Sequence, residues 1–145
     1  MIDIKVVNKS DNDLPIFSTS NSAGVDIRAF LDENILIKPG ERVMIPTGLF
    51  IELPSGYEAH IRPRSGLAIK NGITVLNSPG TIDADYRGEI KVILINHSKE
   101  SFTVNSGDRI CQMVINKFES FNWISSESLS NSDRGEGGFG HSGIN

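Results

Sequence analysis

Two side chains suited to chemistry, Asp83 and Tyr86, stand three positions apart in the stretch Asn77-Ser78-Pro79-Gly80-Thr81-Ile82-Asp83-Ala84-Asp85-Tyr86-Arg87-Gly88-Glu89-Ile90. A carboxylate can take a proton from water. An aromatic ring can lie flat against a sugar or a base. Read alone, the stretch is also an ordinary surface turn rich in Gly, Asp and Pro. Four further clusters change that reading.

Arg62-Pro63-Arg64-Ser65-Gly66-Leu67-Ala68 places two arginines just before a predicted helix start. Backbone N–H groups there, with a guanidinium and the Ser65 hydroxyl, suit a phosphate; a basic turn before an ordinary capped helix is the alternative. Ala23-Gly24-Val25-Asp26-Ile27-Arg28-Ala29 sets an acid at the head of a strand, where a structural role is the simpler reading. Gly107-Asp108-Arg109-Ile110-Cys111-Gln112-Met113 embeds one amide, Gln112, among apolar residues, and it must find a partner in the core or in a ligand. Arg134-Gly135-Glu136-Gly137-Gly138-Phe139-Gly140-His141-Ser142-Gly143 holds one arginine and one ring in a glycine bed. It can be read as a low-complexity tail, or as converging N–H groups, a phosphate partner and a base-stacking ring.

Other chemistries fall away. His60, His97, His141 and Cys111 lack ligand spacing, which argues against zinc and against zinc-type nucleoside deaminases. The glycine-rich tail has no Gly-Lys-Ser/Thr ending and is no P-loop. A single cysteine rules out an internal disulfide framework and fits a reducing, cytoplasmic setting. No apolar run approaches the roughly 20 residues of a membrane span, and the N-terminus lacks the pattern of a secretory signal. A net charge of −4 argues against broad nucleic-acid binding, yet leaves room for a local anion site.

The elements that must position these clusters are short. Strands are predicted at 2–6, 25–30, 35–37, 43–45, 49–51, 57–61, 73–76, 90–95, 102–104 and 110–118, with a loop over 10–22. Ser65 to Lys70 is the one helix, with Ser65 as its cap and Gly72 as its stop. Frequent turn signals without strand–helix alternation predict an all-β sandwich, jelly roll or barrel. Of 145 residues, 1–124 read as one β-barrel catalytic domain and 125–145 as a flexible C-terminal arm carrying the glycine-rich lid. Taken together, the residues suit a nucleotide-binding β protein, and phosphoryl-transfer chemistry most of all.

The five clusters, in this order, resemble the five motifs of the trimeric dUTPases, and the likeness spans nearly the whole chain. It implies an all-β, jelly-roll-like homotrimer with active sites shared between subunits and C-terminal arms exchanged between them. It also implies hydrolysis of dUTP to dUMP and pyrophosphate, which limits uracil entry into DNA and supplies dUMP for thymidylate synthesis. The resemblance further implies Mg²⁺ held mainly by the substrate's phosphates, with Asp26 near its water shell.

Position by position, the resemblance makes Asp83 the general base and Tyr86 the ring packed on deoxyribose. Asn77 pairs with uracil, and Thr81, Ile82 and Lys91 complete base recognition. Arg64, Ser65 and Gly66 form the phosphate turn, and Gln112 contacts phosphate and water. Arg134 clamps the γ-phosphate, and Phe139 caps the base. Many members place Ser or Thr after Gly-Phe-Gly, where this chain has His141; an imidazole titrating near about pH 6.5 can add charge there. The dCTP deaminases and bifunctional relatives share the fold but resemble a different hairpin, with a glutamate on the following strand, where this chain is apolar around Ile93. A non-catalytic relative is expected to lose Asp83 or Arg134, and this chain has both.

Overall fold

The computed structural model describes residues 1–138. In chain order the elements are β1 (Lys5–Asn8), β2 (Gly24–Arg28), β3 (Ile35–Ile37), β4 (Arg42–Pro46), β5 (Leu49–Glu52), β6 (Tyr57–Arg62), α1 (Ser65–Asn71), β7 (Ile73–Val75), β8 (Gly80–Ile82), β9 (Lys91–Asn96), β10 (Phe102–Val104) and β11 (Arg109–Lys117). Every recorded strand pairing is antiparallel. The sheets run β2-β11-β6-β8, β4-β9-β7, β1-β5 and β10-β3, the all-β, jelly-roll-like class that the turn spacing predicted.

Strand alternation builds the core. On β9, Val92 and Leu94 point inward. Ala59 and Ile61 of β6, Ile27 of β2 and Ile82 of β8 meet them in one apolar cluster. Asn96 is fully buried beside it, with all its polar capacity used: its amide donates to the carbonyls of Ile37 and Glu100, and its oxygen accepts from Ser98. Such an amide is stable in a core only when so satisfied.

Several boundaries differ from expectation. The first strand starts at Lys5 rather than Ile2, because pairing with β5 (Lys5↔Glu52 to Asn8↔Leu49), not the Ile2/Ile4/Val6 alternation, sets its register. Ser65 is the first helical residue and not the cap; the cap position is Arg64, with no side-chain capping bond. Gly72 does end the helix in the left-handed conformation, at φ 64°. A Cβ there would also strike Ser98.

β7 and β9, predicted on either side of the Asn77–Ile90 stretch, pair with Val75 facing Leu94. The chain between them does not turn tightly. It leaves for the other sheet, where β8 pairs with β6 (Ala59↔Ile82, His60↔Thr81, Ile61↔Gly80). After β11 no helix or strand occurs among the described residues, and the recorded hydrogen bonds from Ser126 to Gly137 are all local. At the root of this segment Phe121 and Trp123 form an edge-to-face pair, 5.1 Å between centroids, both largely exposed.

Candidate active site

Three of the sequence clusters meet at one end of the large sheet. Gln112 of β11 stands opposite Asp26 of β2 on one side and Arg62 of β6 on the other. The chain leaving β6 brings Arg64 back over this row. One Asp26 oxygen accepts from Arg64 Nε at 3.1 Å, and the other accepts from Arg109 Nη1 at 3.2 Å. Arg64 Nη1 also donates to the Arg109 carbonyl at 3.1 Å. The Gln112 amide donates to the Pro63 carbonyl at 3.0 Å, fixing the turn that carries Arg64.

The result is a cationic corner with one carboxylate at its centre. Asp26 and Arg64 are about one-quarter exposed, so their pairing is sheltered, while Arg109 is half exposed. Ser65 and Gly66 lie exposed just beyond, in the first turn of α1. A cleft of about 580 Å³ opens beside Asp26 and Arg109, walled on its far side by Leu14 to Ser18. Below the corner, Cys111 is completely buried. Burial first, and then the nearby Asp26 carboxylate, push its thiol up to about 12. It is therefore a neutral packing group and no nucleophile.

The Asp83–Tyr86 turn is built separately. The Tyr86 N–H donates to the Asp83 carbonyl at 3.1 Å, closing a four-residue turn with both side chains exposed. Arg87 Nη1 staples it, donating to the carbonyls of Ala84 (2.7 Å) and Tyr86 (3.0 Å). The Tyr86 hydroxyl donates to the Glu89 carbonyl at 3.0 Å. The β4–β5 turn clamps the far end. The Thr47 hydroxyl donates to the Ile90 carbonyl at 2.6 Å, the Gly48 N–H to Glu89 Oε1 at 2.9 Å, and the Ile90 N–H to the Leu49 carbonyl at 2.8 Å. The near end starts at Asn77, whose exposed side chain packs close to Gly80. Thr81 is exposed, Ile82 is buried in the core, and Lys91 pairs with Glu89 at 3.7 Å.

The structure thus gathers Asp26, Arg64 and Gln112 at one place, and Asn77, Thr81, Asp83 and Tyr86 on one loop. It does not bring the two groups together within a single chain. Asp83 follows Ile82, which faces Ala59, whereas Gln112 faces Arg62. At about 3.3 Å per residue along a strand and about 4.8 Å between strands, Asp83 lies on the order of 15–20 Å from Gln112 and Asp26. Arg134 is exposed and folds on itself, its Nε donating to the Gly137 carbonyl at 2.7 Å. Phe139 and His141 lie outside the described residues.

Sequence reading missed Thr47, Arg87 and Arg109. Arg87 and Arg109 sit inside clusters that were singled out, beside the residues given roles. Thr47 carries no local signal, because its partner is 43 residues away.

The dUTPase family model matches residues 10–143. A deoxyuridine 5'-triphosphate nucleotidohydrolase of Cytophaga hutchinsonii is 59% identical over 140 residues, covering 97% of this chain and 91% of the relative. One from Finegoldia magna is 54% identical over 140 residues, covering 97% and 98%. A variant of the Staphylococcus bacteriophage 80alpha dUTPase, solved with dUpNHpp, superposes with a TM-score of 0.89 at 25% identity, covering 99% of this chain and all of that one. The chain belongs to the dUTPase family, whose reaction is the hydrolysis of dUTP.

Proposed function

We propose that this chain hydrolyses dUTP to dUMP and pyrophosphate with Asp83 as the general base. The observation that carries the assignment is the Asp83–Tyr86 turn: a carboxylate and a ring, both exposed, on a loop fixed at both ends. Asp83 takes a proton from water as the water oxygen bonds to the α-phosphorus. The bond from that phosphorus to the α–β bridging oxygen breaks, and pyrophosphate leaves.

Tyr86 packs on the deoxyribose and leaves no space for a 2′-hydroxyl. Asn77, Thr81, Ile82 and Lys91 provide the edge that pairs with uracil. Arg64, Ser65, Gly66 and Gln112 hold the phosphates, Arg134 clamps the γ-phosphate, and Phe139 covers the base. Positioning and charge neutralisation provide most of the rate in such a reaction.

Mg²⁺ would be carried on the substrate's triphosphate. Among the described residues no three His, Cys, Asp or Glu side chains cluster as a cage, and both Asp26 oxygens are engaged by guanidinium groups. That donor set fits an ion carried by substrate phosphates and water, with Asp26 reaching its water shell. When bound, the ion neutralises phosphate charge.

The separation of Asp83 from Gln112 and Asp26 supports a site shared between copies. Groups that must converge on one phosphorus lie too far apart in one chain, and a homotrimer with exchanged C-terminal arms, 125–145, lets a neighbour complete each site. No helix among the described residues is long and apolar enough to cross a membrane, and we place the enzyme in the cytoplasm.

Product analysis tests the reading, with dUTP, dCTP, dTTP and UTP incubated separately with Mg²⁺. Pyrophosphate and dUMP from dUTP alone are expected. Conversion of dCTP would assign the chain to the deaminase branch, and dUTP binding without turnover would leave a binding relative.

A further inference from the structure

A ring that excludes a ribose hydroxyl by contact must not move, and Tyr86 is poorly held by packing, being 45% exposed. Its position comes from the two residues after Arg87. At Gly88 an added Cβ would collide with the Tyr86 ring and hydroxyl, so the ring lies directly over this backbone. One residue on, the Glu89 carbonyl accepts the Tyr86 hydroxyl at 3.0 Å. That carbonyl is itself fixed, because the Glu89 carboxylate is engaged on both oxygens. Oε1 accepts the Gly48 N–H at 2.9 Å, and Oε2 lies 3.7 Å from Lys91 Nζ. The Thr47 hydroxyl holds the next carbonyl, that of Ile90.

We infer that Gly88 and Glu89 are specificity-determining positioning residues, which set the plane of the Tyr86 ring and thereby the preference for deoxyribose over ribose triphosphates. The inference rests on Tyr86 being the sugar-packing ring. Gly88 gives the ring a flat seat, and Glu89 transmits the rigidity of the β4–β5 turn to its hydroxyl. Neither touches substrate. With the seat filled or the tether loosened, the ring turns aside and a 2′-hydroxyl finds space.

The test is the ratio of kcat/KM for dUTP to that for UTP, measured on full-length protein in wild type and five variants. Gly88 is not in the left-handed region, and the ring it would strike is exposed and can swing away, so Gly88→Ala retains the fold. Gly88→Ala is expected to lower the ratio by at least about tenfold, the scale on which a contact surface discriminates one hydroxyl. Glu89→Ala is expected to lower it less, and Glu89→Gln, which keeps an acceptor for the Gly48 N–H, to restore most of it. In a Tyr86→Ala background, Gly88→Ala is expected to change nothing further, because the collision has been removed.

A ratio relaxed by Tyr86→Ala but untouched by Gly88→Ala and Glu89→Ala would overturn the positioning role. A ratio untouched by Tyr86→Ala itself would instead remove the sugar-packing reading, and the inference with it.

Discussion

Changing Asp26 to asparagine separates two roles this acid could have. In the structure its carboxylate joins Arg64 Nε at 3.1 Å and Arg109 Nη1 at 3.2 Å. Asparagine has one oxygen and one NH₂, so one guanidinium keeps an acceptor and the other meets a donor. A hydrogen bond to a charged group contributes about 1.5–3 kcal/mol. Arg109 is half exposed and rehydrates easily, so losing its bond costs near or below the bottom of that range. Losing the sheltered Arg64 bond costs more. A net destabilisation of about 1–2 kcal/mol follows, a fall in Tm of about 3–8 °C for a chain of this size, read at fixed protein concentration. Even with the amide oxygen turned to Arg64, the carboxylate's charge is gone, and Arg64 is held less firmly in the orientation proposed for meeting phosphate. At 1.4 kcal/mol per factor of ten, KM for dUTP rises about 5- to 30-fold, with kcat changed only a few-fold. Thermal melts and steady-state kinetics at saturating Mg²⁺ measure both. Tm and KM both unchanged would refute the argument that Asp26 positions Arg64. A collapse of kcat with Tm and KM unchanged would place Asp26 at the metal's water shell alone.

Asp83→Asn is expected to leave dUTP affinity intact and lower kcat by about 10²–10⁴-fold; turnover at the wild-type rate would exclude Asp83 as base. Deleting residues 134–145 is expected to spare the far-UV circular dichroism and Tm while severely weakening hydrolysis, because the described part of that segment has no place in the core. Thr47→Val leaves the buried Ile90 carbonyl and Leu49 N–H without their side-chain partner and should cost about 1–3 kcal/mol, seen in denaturant unfolding. Cys111 gives a pH dependence. Its folded thiol is pushed up to about 12 from an ordinary value of 9.0, so above about pH 9 the unfolded chain loses a proton that the folded chain keeps. Stability contributed by this group is complete below about pH 9 and is lost as pH rises toward about 12. Cys111→Ala should flatten that alkaline limb in unfolding titrations.

Much of the candidate site's layout is legible in the sequence because its signals are local. Asp83 and Tyr86 are three residues apart on one turn, and Gly72 stops α1 just after its last residue. Non-local partners left no such trace. Asp26 meets Arg64 across 38 residues and Arg109 across 83, and only the order β2-β11-β6 brings them together. β8 does not show in the sequence, because three residues cannot display an alternation that names their partner sheet. Ser65 reads as a cap because capping residues are recognised by type, whereas the extended backbone at Arg64 decides where the helix begins.

The chain has a single tryptophan, and it is Trp123, 89% exposed at the root of the C-terminal segment beside Phe121. An indole so placed emits from an aqueous setting, whatever the state of the barrel beneath it. Excited selectively, it is a built-in optical probe of whatever covers this segment. Its emission therefore changes little as the sheets unfold, which backbone dichroism follows instead, and a blue shift of the indole reports that something has covered the root of this segment.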